Sequence, residues 1–176
     1  MRPSDAARLL VVLTGPVGCG KSTTARLLAC RLREPSPGGA GLRVGVVDLD
    51  LVADMVRPHV RYGEPDLWQM ARRIGGGLAD AIYREGHDAV IVEGEFFSTA
   101  ELAALVDTVA TPVGLRLFAL DVSYAGCQAR VDADPSPGRV LSRNPAFLLR
   151  TSEQFRAALP WLRSAGTVID ANEATA

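Results

Sequence analysis

The stretch from Leu9 to Leu32, LLVVLTGPVGCGKSTTARLLACRL, decides the fold. Leu9 to Thr14 is an unbroken run of leucine and valine closed by threonine, the pattern of a strand buried on both faces. A glycine-rich turn follows. From Gly20 to about Arg33 the residues Ala25, Leu28, Ala29 and Leu32 fall on one helical face. Within this stretch stands Lys21, the only lysine among the chain's 19 basic residues; all the others are arginine.

The turn satisfies G-x-x-x-x-G-K-[ST] with Gly15, Gly20, Lys21 and Ser22, between the strand and the helix that this spacing requires. Glycines let successive backbone N–H groups face a phosphate with no Cβ in the way. The helix N-terminus adds partial positive charge. Gly15, Pro16, Val17, Gly18, Cys19, Gly20, Lys21, Ser22 and Thr23 are therefore expected to hold ATP. Lys21 would reach the β- and γ-phosphates and the Ser22 hydroxyl would meet Mg²⁺. A guanidinium is planar and forked, whereas the closed loop suits a compact ammonium. That accounts for one lysine in an arginine-rich chain.

Working outward, strands and helices alternate. LRVGVVDLD (42–50) reads as a second strand ending in acid, and Leu51 to Val56 as a short helix stopping before Pro58. Pro65 opens a longer helix with Leu67, Met70, Ile74, Leu78 and Ile82 in phase, and with the triplet Gly75-Gly76-Gly77 inside it. A kink or a tight helix contact is expected there. DAVIVEG (88–94) is a third strand. Ser98 and Glu101 have capping-box spacing for the next helix. Val113 to Leu120 is a fourth strand, Ser123 to about Val131 a helix, Asn144 to Leu162 another, and GTVID (166–170) a fifth strand. The expectation is α/β: a five-stranded parallel sheet flanked by helices on both faces, in a single domain over 1–176. Ligands bind beyond the carboxyl ends of such strands, where Gly15, Asp48, Asp50, Glu93, Glu95 and Asp121 converge.

Composition excludes other classes. Net charge is −1 without a long run of one sign, which speaks against a nucleic-acid surface. No apolar run approaches the roughly 20 residues of a membrane span. The N-terminal residues lead directly into the first strand without a secretory core, and Cys19, Cys30 and Cys127 lack metal-ligand spacing. Reduced thiols in a cytoplasmic protein are expected.

By its loop motif and element order the chain resembles the P-loop kinases of small molecules, a superfamily that includes nucleoside monophosphate kinases, shikimate kinase, gluconate kinase and chloramphenicol phosphotransferase. The resemblance implies a P-loop NTPase fold of the nucleoside monophosphate kinase type, with ATP and Mg²⁺ as cofactors and a small-molecule hydroxyl as acceptor. Shikimate kinase carries a D-x-D after the second strand, matched here by Asp48 and Asp50. Chloramphenicol phosphotransferase follows its base by four residues with another Asp, as Asp54 follows Asp50. The resemblance thus implies Asp50 as general base, with Asp48 as the other choice. Ser22, Asp48 and Glu93 would serve the metal. Asp50, Arg57, Arg61 and Glu95 would face the acceptor.

Arg130 resembles the family's adenine-packing arginine. Arg139 and Arg143 resemble lid arginines that clamp the transferring phosphoryl group, on a short lid at about 132–143. One departure stands out: shikimate kinase has a glycine triplet just after the third strand, where this chain has Glu93-Gly94-Glu95. Two further readings stay open, a nucleoside monophosphate kinase and a nucleotide-binding regulator or ATPase. An N-K-x-D guanine motif is excluded, because the sole lysine lies in the loop.

Overall fold

The computed structural model describes residues 8–35, 39–57, 64–134 and 142–173. Strands β1 (Arg8–Thr14), β2 (Val44–Asp48), β3 (Ala89–Glu93), β4 (Val113–Asp121) and β5 (Thr167–Asp170) form one sheet in the order β2-β3-β1-β4-β5. Every neighbouring pair is parallel, as strands joined through helical crossovers must be. The helices are α1 (Lys21–Arg33), α2 (Leu49–Val56), α3 (Pro65–Arg84), α4 (Thr99–Val106), α5 (Tyr124–Ala133) and α6 (Pro145–Ala165).

The period-two geometry of β1 builds two cores. Leu10 and Val12 point to one face, where Val90 and Val92 meet Leu67, Ala71 and Tyr83 of α3 and Phe155 and Leu162 of α6. Val11 and Leu13 point to the other, against Ile91, Ala25 and Ala29 of α1, and Cys127 and Val131 of α5. Each aliphatic side chain so buried contributes about 1.5–3 kcal/mol, which is why the central strands are continuously apolar. Trp68 and Trp161 pack against the first core.

The glycine triplet in α3 marks a close crossing. A Cβ on Gly76 would run into the Leu105 carbonyl and the Thr108 side chain at the end of α4, while Gly77 faces open space. Gly75 lies against Leu49 of α2. Two of the three glycines therefore let α2 and α4 approach α3.

Three boundaries differ from the sequence reading. β2 ends at Asp48 rather than continuing to residue 50, and α2 begins at Leu49. The reason is local: the Asp48 carboxylate accepts from the Asp50 N–H at 2.9 Å and the Leu51 N–H at 3.4 Å, which caps the helix at the strand end. α6 runs beyond Leu162 to Ala165, through Pro160, and stops at Gly166. Asn144 caps its other end by accepting from Ala146 and Phe147. Among the described residues, no helix is long and apolar enough to cross a membrane.

Candidate active site

Parallel registry brings the acids together. Glu93 at the end of β3 is paired with Leu13 of β1 on one side and Asp48 of β2 on the other. The loop leaving β1 therefore lies beside Glu93, and the first turn of α2 lies on the other flank.

That loop needs positive backbone torsions. Gly18 has φ +80° and Gly20 φ +99°, and Gly20 stands at the N-cap of α1 in the left-handed region. A side chain is strained there, so the motif's Gly20, and Gly18 within the loop, follow from the geometry. The Lys21 ammonium donates to the carbonyls of Gly15 at 3.0 Å and Pro16 at 3.1 Å, latching the loop onto itself. Burial works against its charge, but the Cys19 thiol and the carboxylates of Glu95, Asp50 and Glu93 together hold it above its ordinary range. Burial pushes the Cys19 thiol up, so this cysteine is packed rather than activated.

The Ser22 hydroxyl donates to Glu93 Oε2 at 2.9 Å. Burial, and next the neighbouring Asp48, push the Glu93 carboxyl up to about 7. Two adjacent carboxyls and a hydroxyl make a hard-oxygen donor set that suits Mg²⁺, whose charge would relieve their repulsion. Among the described residues no group of three or more His, Cys, Asp or Glu is placed to hold a metal by itself. Such a cation would keep waters and take phosphate oxygens as further ligands, as Mg²⁺ does in phosphoryl-transfer sites.

Beyond β3 the chain turns through Gly94 to Ser98, and each of the first four residues is pinned, two of them by β1 and the others by α3 and α4. The Gly94 N–H donates to the Leu13 carbonyl at 3.2 Å. Arg72 of α3 donates through Nε (3.2 Å) and Nη2 (2.6 Å) to the Glu95 carbonyl, and through Nη2 to Glu101 Oε1 at 3.0 Å. The Phe96 N–H donates to Thr14 Oγ1 at 2.9 Å, and Thr14 Oγ1 donates to the Phe96 carbonyl at 3.3 Å. The Phe97 N–H donates to Glu101 Oε2 at 2.5 Å. Ser98 does cap α4, accepting from Glu101 N, but the Glu101 carboxylate answers Phe97 rather than closing a reciprocal box on Ser98.

This turn sets Glu95 near Lys21 and Asp50, where burial pushes its carboxyl up while Lys21 pulls the other way. Glu95 retains some exposure as a residue, yet its Oε1 is out of solvent and has no hydrogen-bond partner. Burial lowers the Arg72 guanidinium from its ordinary range, opposed chiefly by Glu101.

The structure thus gathers Gly15–Ser22, Asp50, Glu93 and Glu95 about Lys21, with Asp48 beside Glu93. Thr23 is exposed on α1. Arg130 Nη1 donates to the Cys19 carbonyl and Nη2 to the Ala171 carbonyl, each at 2.6 Å, bracing the loop against the end of β5. Arg143 donates to the Asp134 carbonyl at 2.8 Å, at the end of α5. Arg57 forms an ion pair with Glu64, the N-cap of α3. Arg61, Arg139 and most of the expected lid lie outside the described residues.

Sequence reasoning missed Thr14, Arg72 and the second role of Glu101. The legible signal for Arg72 was an arginine on the same face of α3 as Leu67, Ala71, Gly75 and Ala79, all buried. An arginine there demands a partner. For Thr14 the only signal was a polar residue ending an apolar strand.

No family model matches the chain, and comparison with curated proteins gave no match. Solved structures do match. The shikimate kinase of Bacteroides thetaiotaomicron superposes with a TM-score of 0.61 at 18% identity, covering 96% of this chain and 89% of that one. The shikimate kinase of Acinetobacter baumannii, in complex with shikimate, gives 0.63 at 15% identity, over 94% and 85% of the two chains. The tunicamycin resistance protein of Deinococcus radiodurans gives 0.56 at 19% identity, over 93% and 86%. With an all-parallel five-stranded sheet and six helices among the described residues, the chain has the fold of the P-loop small-molecule kinases.

Proposed function

We propose that this protein is an ATP- and Mg²⁺-dependent kinase that transfers the γ-phosphoryl group to a hydroxyl of a small-molecule acceptor. The observation that carries this reading is Lys21 at the mouth of the glycine loop, with Asp50, Glu93 and Glu95 all within electrostatic reach of its ammonium. A phosphate-gripping cation, a metal-ordering acid and a separate carboxylate in one place are the parts that phosphoryl transfer to a hydroxyl needs. The kinase fold of the neighbouring structures supports it.

In this reading Lys21 leaves the Gly15 and Pro16 carbonyls for the β- and γ-phosphates. Ser22 and Glu93, with Asp48 beside them, would hold the cation. Mg²⁺ when bound would supply neutralisation of the phosphate charge. Asp50, in the first turn of α2, takes the proton of the acceptor hydroxyl as its oxygen bonds to the γ-phosphorus and the bond to ADP breaks. Arg130 would border the adenine, and Arg139 or Arg143 would close on the transferring group. Among the described residues Arg57, which a phosphate acceptor as in a nucleoside monophosphate kinase would engage, is paired with Glu64. A cytoplasmic setting goes with this activity.

The test is an acceptor screen by mass spectrometry with Mg²⁺ and ATP, seeking a gain of one phosphoryl group. Lys21→Ala should abolish it. Asp50→Asn should lower kcat by about 10²–10⁴-fold with the KM for ATP nearly unchanged. Full turnover in Asp50→Asn would remove the base from the mechanism, and ATP consumption with no phosphorylated acceptor would favour a regulator.

A further inference from the structure

The glycines of the loop leave one peptide under-determined, and a side chain from α5 fixes it. The Cys19–Gly20 peptide is oriented by ψ of Cys19 and φ of Gly20, and glycine populates positive and negative φ about equally. Gly20 has φ +99°. The residue that opens space for a phosphate therefore also makes this peptide easy to flip. A flip matters, because a trans peptide points its N–H opposite to its carbonyl. One orientation offers a phosphate a donor; the other offers it a lone pair.

Arg130 selects between them. Its Nη1 donates to the Cys19 carbonyl and its Nη2 to the Ala171 carbonyl, each at 2.6 Å. A Cβ added to Gly20 would lie 3.8 Å from the same Nη1, so the guanidinium stands beside this peptide. With the Cys19 oxygen held on the α5 side, the Gly20 N–H points away from α5. Flipping it would break a charge-assisted hydrogen bond at a buried residue. The frame behind Arg130 is tied at both ends. Gly18 lies so close to α5 that a Cβ on it would come within 2.9 Å of the Cys127 carbonyl oxygen and of Val131 Cγ2. The Ser123 N–H, at the start of α5, donates to Asn172 Oδ1 at 2.8 Å. The Ala171 N–H donates to the Asp121 carbonyl at 3.0 Å, and the Asn172 N–H to Asp170 Oδ1 at 3.0 Å. The helix that carries Arg130 and the carbonyl that anchors it are thus joined to each other and to the end of the sheet.

We infer that Arg130 is a positioning residue for phosphate binding. It holds the Cys19 carbonyl on the α5 side, with Ala171 as its anchor, and so keeps the Gly20 N–H turned toward the phosphate before the nucleotide arrives. The inference rests on the proposed reading of the loop as the phosphate site. It is separate from any contact with the adenine, and ligand chemistry tells the two roles apart. An adenine contact acts on ATP alone, whereas a pre-set peptide acts on any polyphosphate, with or without a base.

The experiment compares Mg-ATP with magnesium tripolyphosphate, which has the phosphates and no base, on the full chain. Calorimetry gives both affinities for wild type, Arg130→Met and Arg130→Lys, and amide NMR follows the Gly20 N–H. In wild type, tripolyphosphate should move the Gly20 amide proton downfield, as a new hydrogen bond to an anion does. Arg130→Met should weaken both ligands by the same factor, about tenfold or more, and should abolish most of that shift. Arg130→Lys keeps the charge but lacks the planar fork that spans two carbonyls, so it should lose nearly as much for both ligands. Thermal melts report folding, and where Arg130→Met is unfolded, Arg130→Lys carries the same test. A loss confined to ATP would assign Arg130 to the base and overturn the inference. Full affinity in Arg130→Lys, a Gly20 shift that survives in the variants, or no such shift in wild type would overturn it as well. Phosphoryl transfer is assayed separately. Equal losses for both ligands in a protein that phosphorylates no acceptor would uphold the inference and sink the kinase, whereas transfer with a loss for ATP alone would do the reverse.

Discussion

Arg72→Met is the perturbation that most directly tests how the site is held. The Arg72 side chain is 7% exposed and Glu101 25%, and the guanidinium serves both that carboxylate and the Glu95 carbonyl. Methionine fills similar space without charge or donors. Its loss strands the Glu101 carboxylate and leaves the Glu95 carbonyl short of its strongest donor. Removing one member of a buried pair costs about 3–5 kcal/mol, and the partial exposure of Glu101 puts the expectation at the lower end, about 3 kcal/mol. For a chain of this size that is a fall in Tm of about 6–12 °C.

The assay is urea unfolding of wild type, Arg72→Met, Glu101→Gln and the double variant, compared at constant m-value. If the two groups act as a pair, the double variant should cost about 1–3 kcal/mol less than the sum of the singles. A cost under about 1 kcal/mol for Arg72→Met, or additivity within about 0.5 kcal/mol, would refute the claim that this pair fixes the turn.

Thr14→Val keeps shape but removes both hydrogen bonds to Phe96, whose buried N–H is then unsatisfied. The expected loss is about 1–3 kcal/mol after the gain from the added methyl, read by the same unfolding assay. Lys21→Arg should lose affinity for Mg-ATP by at least about tenfold in calorimetry, because a forked guanidinium does not fit a loop latched on the Gly15 and Pro16 carbonyls; unchanged affinity would refute that account. The Glu93 carboxyl is pushed up to about 7 from its ordinary 4.5, so between these values the folded chain binds more protons than the unfolded one. Its contribution is therefore most favourable below about pH 4.5 and is lost as pH rises through about 7, by a few kcal/mol. Stability measured from pH 5 to 8 should fall less steeply in Glu93→Gln, and saturating Mg²⁺ should offset the fall in wild type; an identical slope in the variant would contradict the shift.

Much of the fold was legible because it rests on local pattern. The strand, glycine loop and first helix are set by residues adjacent in sequence, and the order of elements follows from periodicity. The start of α2 was hidden because VVDLDLV alternates apolar and acidic residues just as a strand does. Only the capping bonds from Asp48 show that the strand ends there. At the site, Lys21, Ser22 and the strand-end acids could be read from the motif and the rule for parallel sheets. Arg72 could not be assigned, since its partner carbonyl is 23 residues away and is reached through tertiary packing. Arg130 was expected at the adenine, but its observed contacts to Cys19 and Ala171 join segments 111 and 41 residues distant, a separation no local pattern encodes.

The position of Asp48 gears two parts of the machine together. One carboxylate oxygen carries the amides that start the helix bearing Asp50, and the same residue sits beside Glu93 in register. Both amides fall on Oδ1, so a divalent ion drawing on this side chain would share one carboxylate with the cap of that helix. If the proposed mechanism holds, charge arriving at Asp48 would be felt at once by the helix that carries Asp50, through a single side chain.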